Sequence, residues 1–405
     1  MTLLPPAPAP TGALLLLATP APRLADHVAR LGPVPLPDAD AVLDVVRASG
    51  LRGRGGAWRS TAAKMDAVRA RAARARAARP GRAPLVAANA AEGEPASGKD
   101  AALATASPHL VLDGLQLAAR AVGAEHAVVH GHPGPALDAL AAAAAERAPH
   151  DPVPVRLVAV PRAYVAGQET AVARAAEGGP ALPRPRPRDG APAEVAGAPA
   201  LVLNVETLAR LALTVRGLPA PGPLVTVSAP DLPPRALELR PGARVRDALA
   251  AADAELPGRT RAVLVGGYAG TWLTAGAALD RELSPEGLAP VGASPGAGVL
   301  LAATTGTCVL ATTAAVVRYL ADSSARQCGP CWRGLPHLAG LVEELAAGRG
   351  GPECLARLRE AVGLVVGRGA CAHPDGAAST VASALAAVPD DVAAHLAGRC
   401  AEVRP

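Results

Sequence analysis

The chain contains no phenylalanine and no isoleucine, and only two lysines and two asparagines in 405 residues. Aromatic residues make up 1% and hydrophobic residues 50%, so the core must be built from Leu, Val and Ala. The scarcity of stacking aromatics, the scattered arginines and a net charge of only +5 argue against a nucleic-acid binder. Long apolar runs are missing as well. Leu14–Leu17 is too short to span a bilayer and lacks a basic leader, and residues 298–320 are interrupted by Gly and Thr. The expectation is a soluble, cytoplasmic protein without direct membrane insertion. Six cysteines in a chain of this size do not make a disulfide framework.

Against this depleted background, residues 52–64 read RGRGGAWRSTAAK and residues 88–95 read ANAAEGEP. Gly53, Gly55 and Gly56 allow a tight turn whose N–H groups approach an anion, with Arg52, Arg54 and Lys64 nearby. A helix beginning near Ser60 adds its positive N-terminal end. The run Leu85–Ala88 reads as a strand and places Asn89, Glu92 and Glu94 at its carboxyl end, where open α/β sheets bind ligands. Together the two stretches describe a phosphate-and-ring pocket. Both lysines, Lys64 and Lys99, lie in or beside them, as does Asn89; the other asparagine, Asn204, follows a second apolar run in LVLNVETLA. Such survivors mark positions where compositional drift was not tolerated, with ordinary capping by Asn as the plainer explanation.

From residue 40 to about 215, strand-like runs (85–88, 127–130, 155–160) alternate with alanine-rich helical ones (101–121, 135–147), which predicts a parallel α/β sheet. The Arg–Ala run at 69–82 fits a solvated helix face better than an anionic-partner patch. The proline-rich segment 180–199 reads as a lid or a linker. After Pro223 the order strand, strand, helix, strand suggests a small β-grasp unit, and after about residue 305 a helical bundle follows. The expected division is an N-terminal arm at 1–39 with one short helix, an α/β domain at 40–222, a β-grasp domain at 223–304 and a helical domain at 305–405.

CGPC at 328–331 and Cys371 in GRGACAHP point to metal or redox chemistry. Cys328, Cys331 and Cys371 are candidate iron–sulfur ligands, and with His373 they also make a possible zinc set. Cys308, Cys354 and Cys400 read as core or surface thiols.

These motifs, in this order, resemble the flavin-bearing, NADH-oxidising subunit of respiratory complex I and the related diaphorase subunits. The resemblance rests on ASGLRGRGGA, NAAEGEP followed by GKD, AYVAGQETA, VLNVETLA and the CGPC…C tail. It implies a Rossmann-like FMN domain, an SLBB (β-grasp) domain and a helical iron–sulfur domain. It further implies that Gly53, Arg54, Gly55, Gly56 and Lys64 hold the FMN phosphate region. Asn89, Glu92, Gly167, Asn204 and Thr207 would line the flavin, with Gln168 in the place of a glutamate. Glu94, Glu169 and Tyr164 would form the catalytic set facing NAD(H), together with Arg186. Expected partners are NADH and a ferredoxin-like or E-type electron-transfer subunit.

The chain departs from the family pattern at identifiable positions. Trp58 and Arg59 stand where glycine and phenylalanine are expected, Ala67 and Asp189 replace stacking aromatics, and Ala91 and Leu203 replace flavin-pocket residues. Ala325 replaces the first cluster cysteine, so a 4Fe-4S cluster would need a ligand from water, His373 or Asp322, or a 3Fe-4S cluster would form. Three functional expectations follow: an NADH-oxidising flavoprotein, an FMN and iron–sulfur electron carrier without NADH activity, and a non-catalytic paralogue.

Overall fold

The computed structural model describes residues 16–17, 20–78, 83–185 and 191–400. The described part of the arm packs on the body instead of hanging loose, with Leu16 fully buried and its N–H donating to Glu238. Helix α1 (Leu24–Leu31) buries His27 to 1% exposure, and its Nε2 sits 2.7 Å from Asp113. Helix α2 (Ala39–Ser49) starts at Asp38, whose carboxylate accepts from the Ala41 N–H, and stops at Gly50 in the left-handed region. The glycine loop follows, and α3 (Thr61–Ala78) begins one residue from the predicted start. Its arginines face outward, with Arg69 on Asp40 and Arg71 on Glu194, while Val68 and Ala72 face the core.

The first sheet has the order β3 (Val155–Ala159), β2 (His126–Gly131), β1 (Leu85–Ala90), β5 (Ala198–Asn204), β4 (Glu194–Val195). All pairs are parallel except β4 with β5. The chain runs outward from β1 through β2 to β3, then returns to the other side of β1 at β5. The reversal places a crevice at the carboxyl ends of β1 and β5, the location at which such sheets take ligands. The predicted helix 101–121 is two helices, α4 (Lys99–Ala106) and α5 (Pro108–Val122), because Pro108 cannot donate into the first. Helix α5 is buried on nearly every face between the sheet and α8 (Val205–Val215). Helix α6 (Pro135–Arg147) matches its predicted span. The segment 180–199 is not wholly loop, since it contains β4 and the start of β5.

The second sheet runs β7 (Leu232–Glu238), β6 (Leu224–Ala229), β10 (Val299–Thr304), β8 (Thr260–Val265), β9 (Thr271–Thr274). Its β10–β6 pair is parallel and the others antiparallel, with α9 (Val245–Ala252) packed beside β6 and β7. Single-turn helices α10 (Leu256–Arg259), α11 (Ala275–Ala278) and α12 (Pro285–Leu288) join its strands. Strand β10 occupies part of an apolar run to which the sequence pattern assigns no strand. Helices α13 (Val309–Asp322), α14 (Leu335–Ala346), α15 (Cys354–Val365), α16 (His373–Ala387) and α17 (Pro389–Leu396) then enclose a core that also takes in Trp272 of the second sheet.

Candidate functional site

Asn89 and Asn204, the two asparagines of the chain, are register partners at the ends of adjacent parallel strands. Asn89 Nδ2 donates to the Gly167 carbonyl at 2.8 Å and its Oδ1 accepts from the Ala91 N–H at 3.1 Å. Asn204 caps α8 through the Glu206 N–H and donates to Asp100 Oδ2 at 2.6 Å. Each asparagine thus ties its own strand end to a neighbouring element and holds the crevice open in one shape.

The glycine loop lies across the same strand ends. Its Arg54 N–H donates to Thr207 Oγ1 at 2.8 Å, and Gly53 N–H donates to the Arg59 carbonyl. Gly56 sits at φ 106°, which side-chain-bearing residues rarely adopt. Trp58 also has a positive φ, 50°, and this unfavourable conformation is held from two sides. The indole donates to the Gly296 carbonyl at 2.9 Å, and the Arg54 guanidinium stacks 4.0 Å from the ring centroid. Arg52 pairs with Glu286, so the loop is fastened to the second sheet's unit by two contacts.

Arg54 is the electrostatic anomaly. Burial, then the neighbouring Arg210 and Arg52, depress its pKa to about 10 against the pull of Glu206. Its Nε is buried with no hydrogen-bond partner. A desolvated guanidinium with an unused donor beside a glycine loop fits an anionic group such as a phosphate. Arg54 and Trp58 face a cleft of about 380 Å³ whose other walls include Arg210, Gly222 and Glu282.

Beneath the loop, Lys99 is 2% exposed and bonds Asp100 at 2.6 Å and Glu206 at 2.8 Å, while Arg210 bonds Glu206 at 2.7 Å. Burial pulls the Lys99 pKa down, but the two carboxylates raise it on balance. The same cations hold Glu206 at about 2 despite its burial. Lys64 reaches Val202 O at 2.8 Å and Glu169 Oε2 at 3.3 Å.

Several sequence-predicted flavin residues are structural braces. Thr207 anchors the loop backbone. Glu92 accepts from the Asp100 and Ala101 N–H groups and so caps α4. Gln168 Oε1 caps α7 (Glu169–Ala176) and is turned into that helix. Gly167 ends the 3₁₀ turn Tyr164–Gly167 against Asn89 and Ala91. Arg186 and Asp189 fall outside the described residues.

Glu94 behaves differently. It is 7% exposed and accepts one N–H from Tyr268 at 3.0 Å, and no cation offsets its burial. Burial is the largest cause raising its pKa to about 8. Gly267, at φ 98°, is required there because a Cβ would stand 2.6 Å from the carboxylate. The three tyrosines of the chain gather around this carboxyl. Tyr319 lies 6.4 Å from Tyr164 and 5.5 Å from Tyr268, both edge-on, and its hydroxyl donates to the Gly93 carbonyl. Tyr164 comes from the first unit, Tyr268 from the turn between β8 and β9, and Tyr319 from α13. Sequence reasoning names Tyr164 alone; the scarcity that singles out Lys and Asn applies equally to Tyr268 and Tyr319.

On the far side, the Tyr164 ring lies 5.2 Å from His373, two residues after Cys371. His373 Nε2 contacts the Leu320 carbonyl at 2.8 Å. Cys331 lies against both Cys328 and Cys371. Burial, then hydrogen bonding and repulsion from Cys328 and repulsion from Cys371, push the Cys331 thiol up to about 12. A buried thiol flanked by two further cysteines suits a metal centre that replaces its proton. Ala325, three residues before the motif, offers no ligand, and the next residue, Arg326, is at φ 53°. Cys308 and Cys400, read from the sequence as core or surface thiols, are free and part-exposed, and with His395 they place all their ligand atoms within 4.8 Å of one another.

A doubly anchored glycine loop over a parallel-sheet crevice, with a tyrosine that reaches the segment of Cys371, fits a flavin- and cluster-binding protein of the electron-transfer type. Residues 46–213 match the Nuo51 FMN-binding domain, and residues 311–395 match the NADH-ubiquinone oxidoreductase-F iron–sulfur binding region. The F subunit of NADH-quinone oxidoreductase from Mycobacterium tuberculosis is 31% identical over 383 residues, covering 89% of this chain and 85% of the relative. The F 2 subunit of the same enzyme from Rhizobium meliloti is 30% identical, covering 89% and 90%. A chain of an NAD⁺-reducing [NiFe]-hydrogenase in the H₂-reduced state superposes with a TM-score of 0.78 at 31% identity. That match covers 94% of this chain and 65% of the hydrogenase chain. The chain belongs to the family of NADH-quinone oxidoreductase F subunits. No helix among the described residues is long and apolar enough to cross a membrane.

Proposed function

We propose that this chain is an NADH-oxidising flavoprotein subunit that takes electrons from NADH through FMN to an iron–sulfur cluster and a partner acceptor. The observation that carries the reading is the desolvated Arg54 of the glycine loop, whose Gly55 lies against Asn204 at the strand ends. FMN, when bound, accepts a hydride and releases its electrons singly, which the protein cannot do alone. Gly53, Arg54, Gly55, Gly56 and Lys64 bind the phosphate end, and the Asn89–Asn204 frame orients the ring. Glu94, protonated at neutral pH, and Tyr164 exclude water beside it, and Glu169 positions Lys64. Cys328, Cys331 and Cys371 would hold the cluster, either a 3Fe-4S cluster or a 4Fe-4S cluster with its fourth ligand from a group other than cysteine. The Tyr164–His373 contact makes the flavin crevice and the cysteine loop share a wall.

The units 40–222, 223–304 and 305–405 serve as FMN, SLBB and cluster domains in this reading. The acceptor is a ferredoxin-like or E-type subunit, and Trp332, 62% exposed beside Cys331, supports a partner on that side. Trp58 favours a second reading, a carrier without NADH activity, because its indole is committed to Gly296. Anaerobic titration of FMN- and iron-reconstituted protein with NADH separates the two. Bleaching of the flavin band is expected; a band that NADH leaves intact but dithionite reduces would establish the carrier instead.

A further inference from the structure

The helical unit carries a second cluster of soft ligands, away from the CGPC motif. Cys308 is the N-cap of α13, its sulfur accepting from the Ala311 N–H at 3.3 Å. His395 lies in the last turn of α17, 2% exposed, with Nε2 3.4 Å from Cys308 Sγ and Nδ1 unpartnered. Cys400 completes the set, and all three ligand atoms lie within 4.8 Å of one another.

We propose that Cys308, His395 and Cys400 bind one zinc-type cation that fastens the end of the helical unit to its beginning. A tetrahedral ion about 2.3 Å from sulfur and about 2.0 Å from nitrogen sets those two atoms about 3.5 Å apart. The observed 3.4 Å is that of a sulfur–imidazole hydrogen bond and is also the spacing a single ion needs. Two sulfurs and an imidazole select zinc over magnesium or calcium. Binding replaces two thiol protons, which pass to solvent, and leaves the imidazole neutral. Cys308 and Cys400 are part-exposed, so the fourth position opens to water.

The location gives the ion a purpose. Cys308 and Cys400 flank the matched iron–sulfur region, 311–395, on either side. One ion would therefore close the whole helical segment into a loop and keep α17 docked when the three-cysteine site is empty or being filled. This site is separate from the residues assigned to NADH oxidation, and its failure would leave that assignment standing.

The test uses the full chain, prepared anaerobically with its iron–sulfur centre reconstituted, exposed to equimolar zinc and gel-filtered. Expected is one zinc per chain in the reconstituted wild type and in the cluster-free Cys328→Ser/Cys331→Ser/Cys371→Ser variant, falling to background in reconstituted Cys400→Ser. Cys400→Ser is the deciding variant because it sits at the part-exposed end of the described chain. His395→Ala should lose zinc likewise, and cobalt substituted for zinc should give sulfur-to-metal charge-transfer absorption that Cys400→Ser abolishes. NADH-dependent flavin bleaching should be unchanged in Cys400→Ser. Zinc that disappears with the CGPC variant but persists in Cys400→Ser would overturn the proposal. So would wild type that retains no zinc, or a Cys308–Cys400 disulfide in anaerobic protein.

Discussion

Replacing Glu94 by glutamine should stabilise the protein, and by an amount that grows with pH. Glu94 is buried and its pKa stands at about 8 against an ordinary 4.5. Below the ordinary value the carboxyl is protonated whether the chain is folded or not, and burial costs nothing through ionisation. Between the two values the unfolded chain releases the proton while the folded chain keeps it, so stability falls as pH rises, by about 1.4 kcal/mol per unit. Above the folded value both states are ionised and the loss levels off. Integrated over the interval, the penalty approaches roughly 5 kcal/mol, an upper bound because a charged Glu94 would draw in water. Glutamine keeps an oxygen to accept the Tyr268 N–H and removes the ionisation. Urea unfolding of both proteins from pH 5 to pH 9.5 checks this. The two should be nearly equal at pH 5, and the variant should lead by about 2–5 kcal/mol at pH 9. Equal pH slopes, or a variant less stable throughout, would refute the assignment of a desolvated, uncompensated carboxyl.

Other consequences follow from named contacts. Arg54→Gln and Lys64→Gln should each weaken FMN binding by roughly 10–100-fold, the value of a hydrogen bond to a charged group, read by quenching of FMN fluorescence. Asp113→Ala should cost about 3–5 kcal/mol in urea unfolding, since this 1%-exposed carboxylate is the ion-pair partner of Arg216 and His27 and one of two for Arg147, which keeps Asp151. Lys99→Met should destabilise by a similar amount and disturb FMN retention, because it leaves Asp100 and Glu206 buried without their shared cation. Cys371→Ser should reduce bound iron to a small fraction of wild type by colorimetric assay while leaving FMN content unchanged.

How much of this is written in the chain varies with the kind of interaction. Asn89 and Asn204 stand out because they survive in a sequence nearly emptied of asparagine, and they are register partners. The glycine loop, α2, α6 and the first three strands are legible because capping residues and apolar runs are local signals. The break between α4 and α5 lies in Pro108, which is easily missed because the alanine-rich pattern continues on both sides. Strand β10 is hidden because a fully buried strand lacks alternation. The tyrosine cluster and the Cys308–His395–Cys400 group each join distant segments, and nothing in the local pattern of Tyr268, Tyr319 or Cys400 announces a partner. Thr207, Glu92 and Gln168 are identifiable as positions that matter, but their backbone bonds show them shaping the site.

The most direct test is flavin retention by apoprotein incubated with FMN and gel-filtered, comparing wild type with a Gly56→Val variant. Wild type should retain one FMN per chain, released by acid, and Gly56→Val should retain almost none while keeping its helical circular dichroism. FMN that fails to stay with the wild type, or stays equally with Gly56→Val, would contradict placing the phosphate site at the glycine loop.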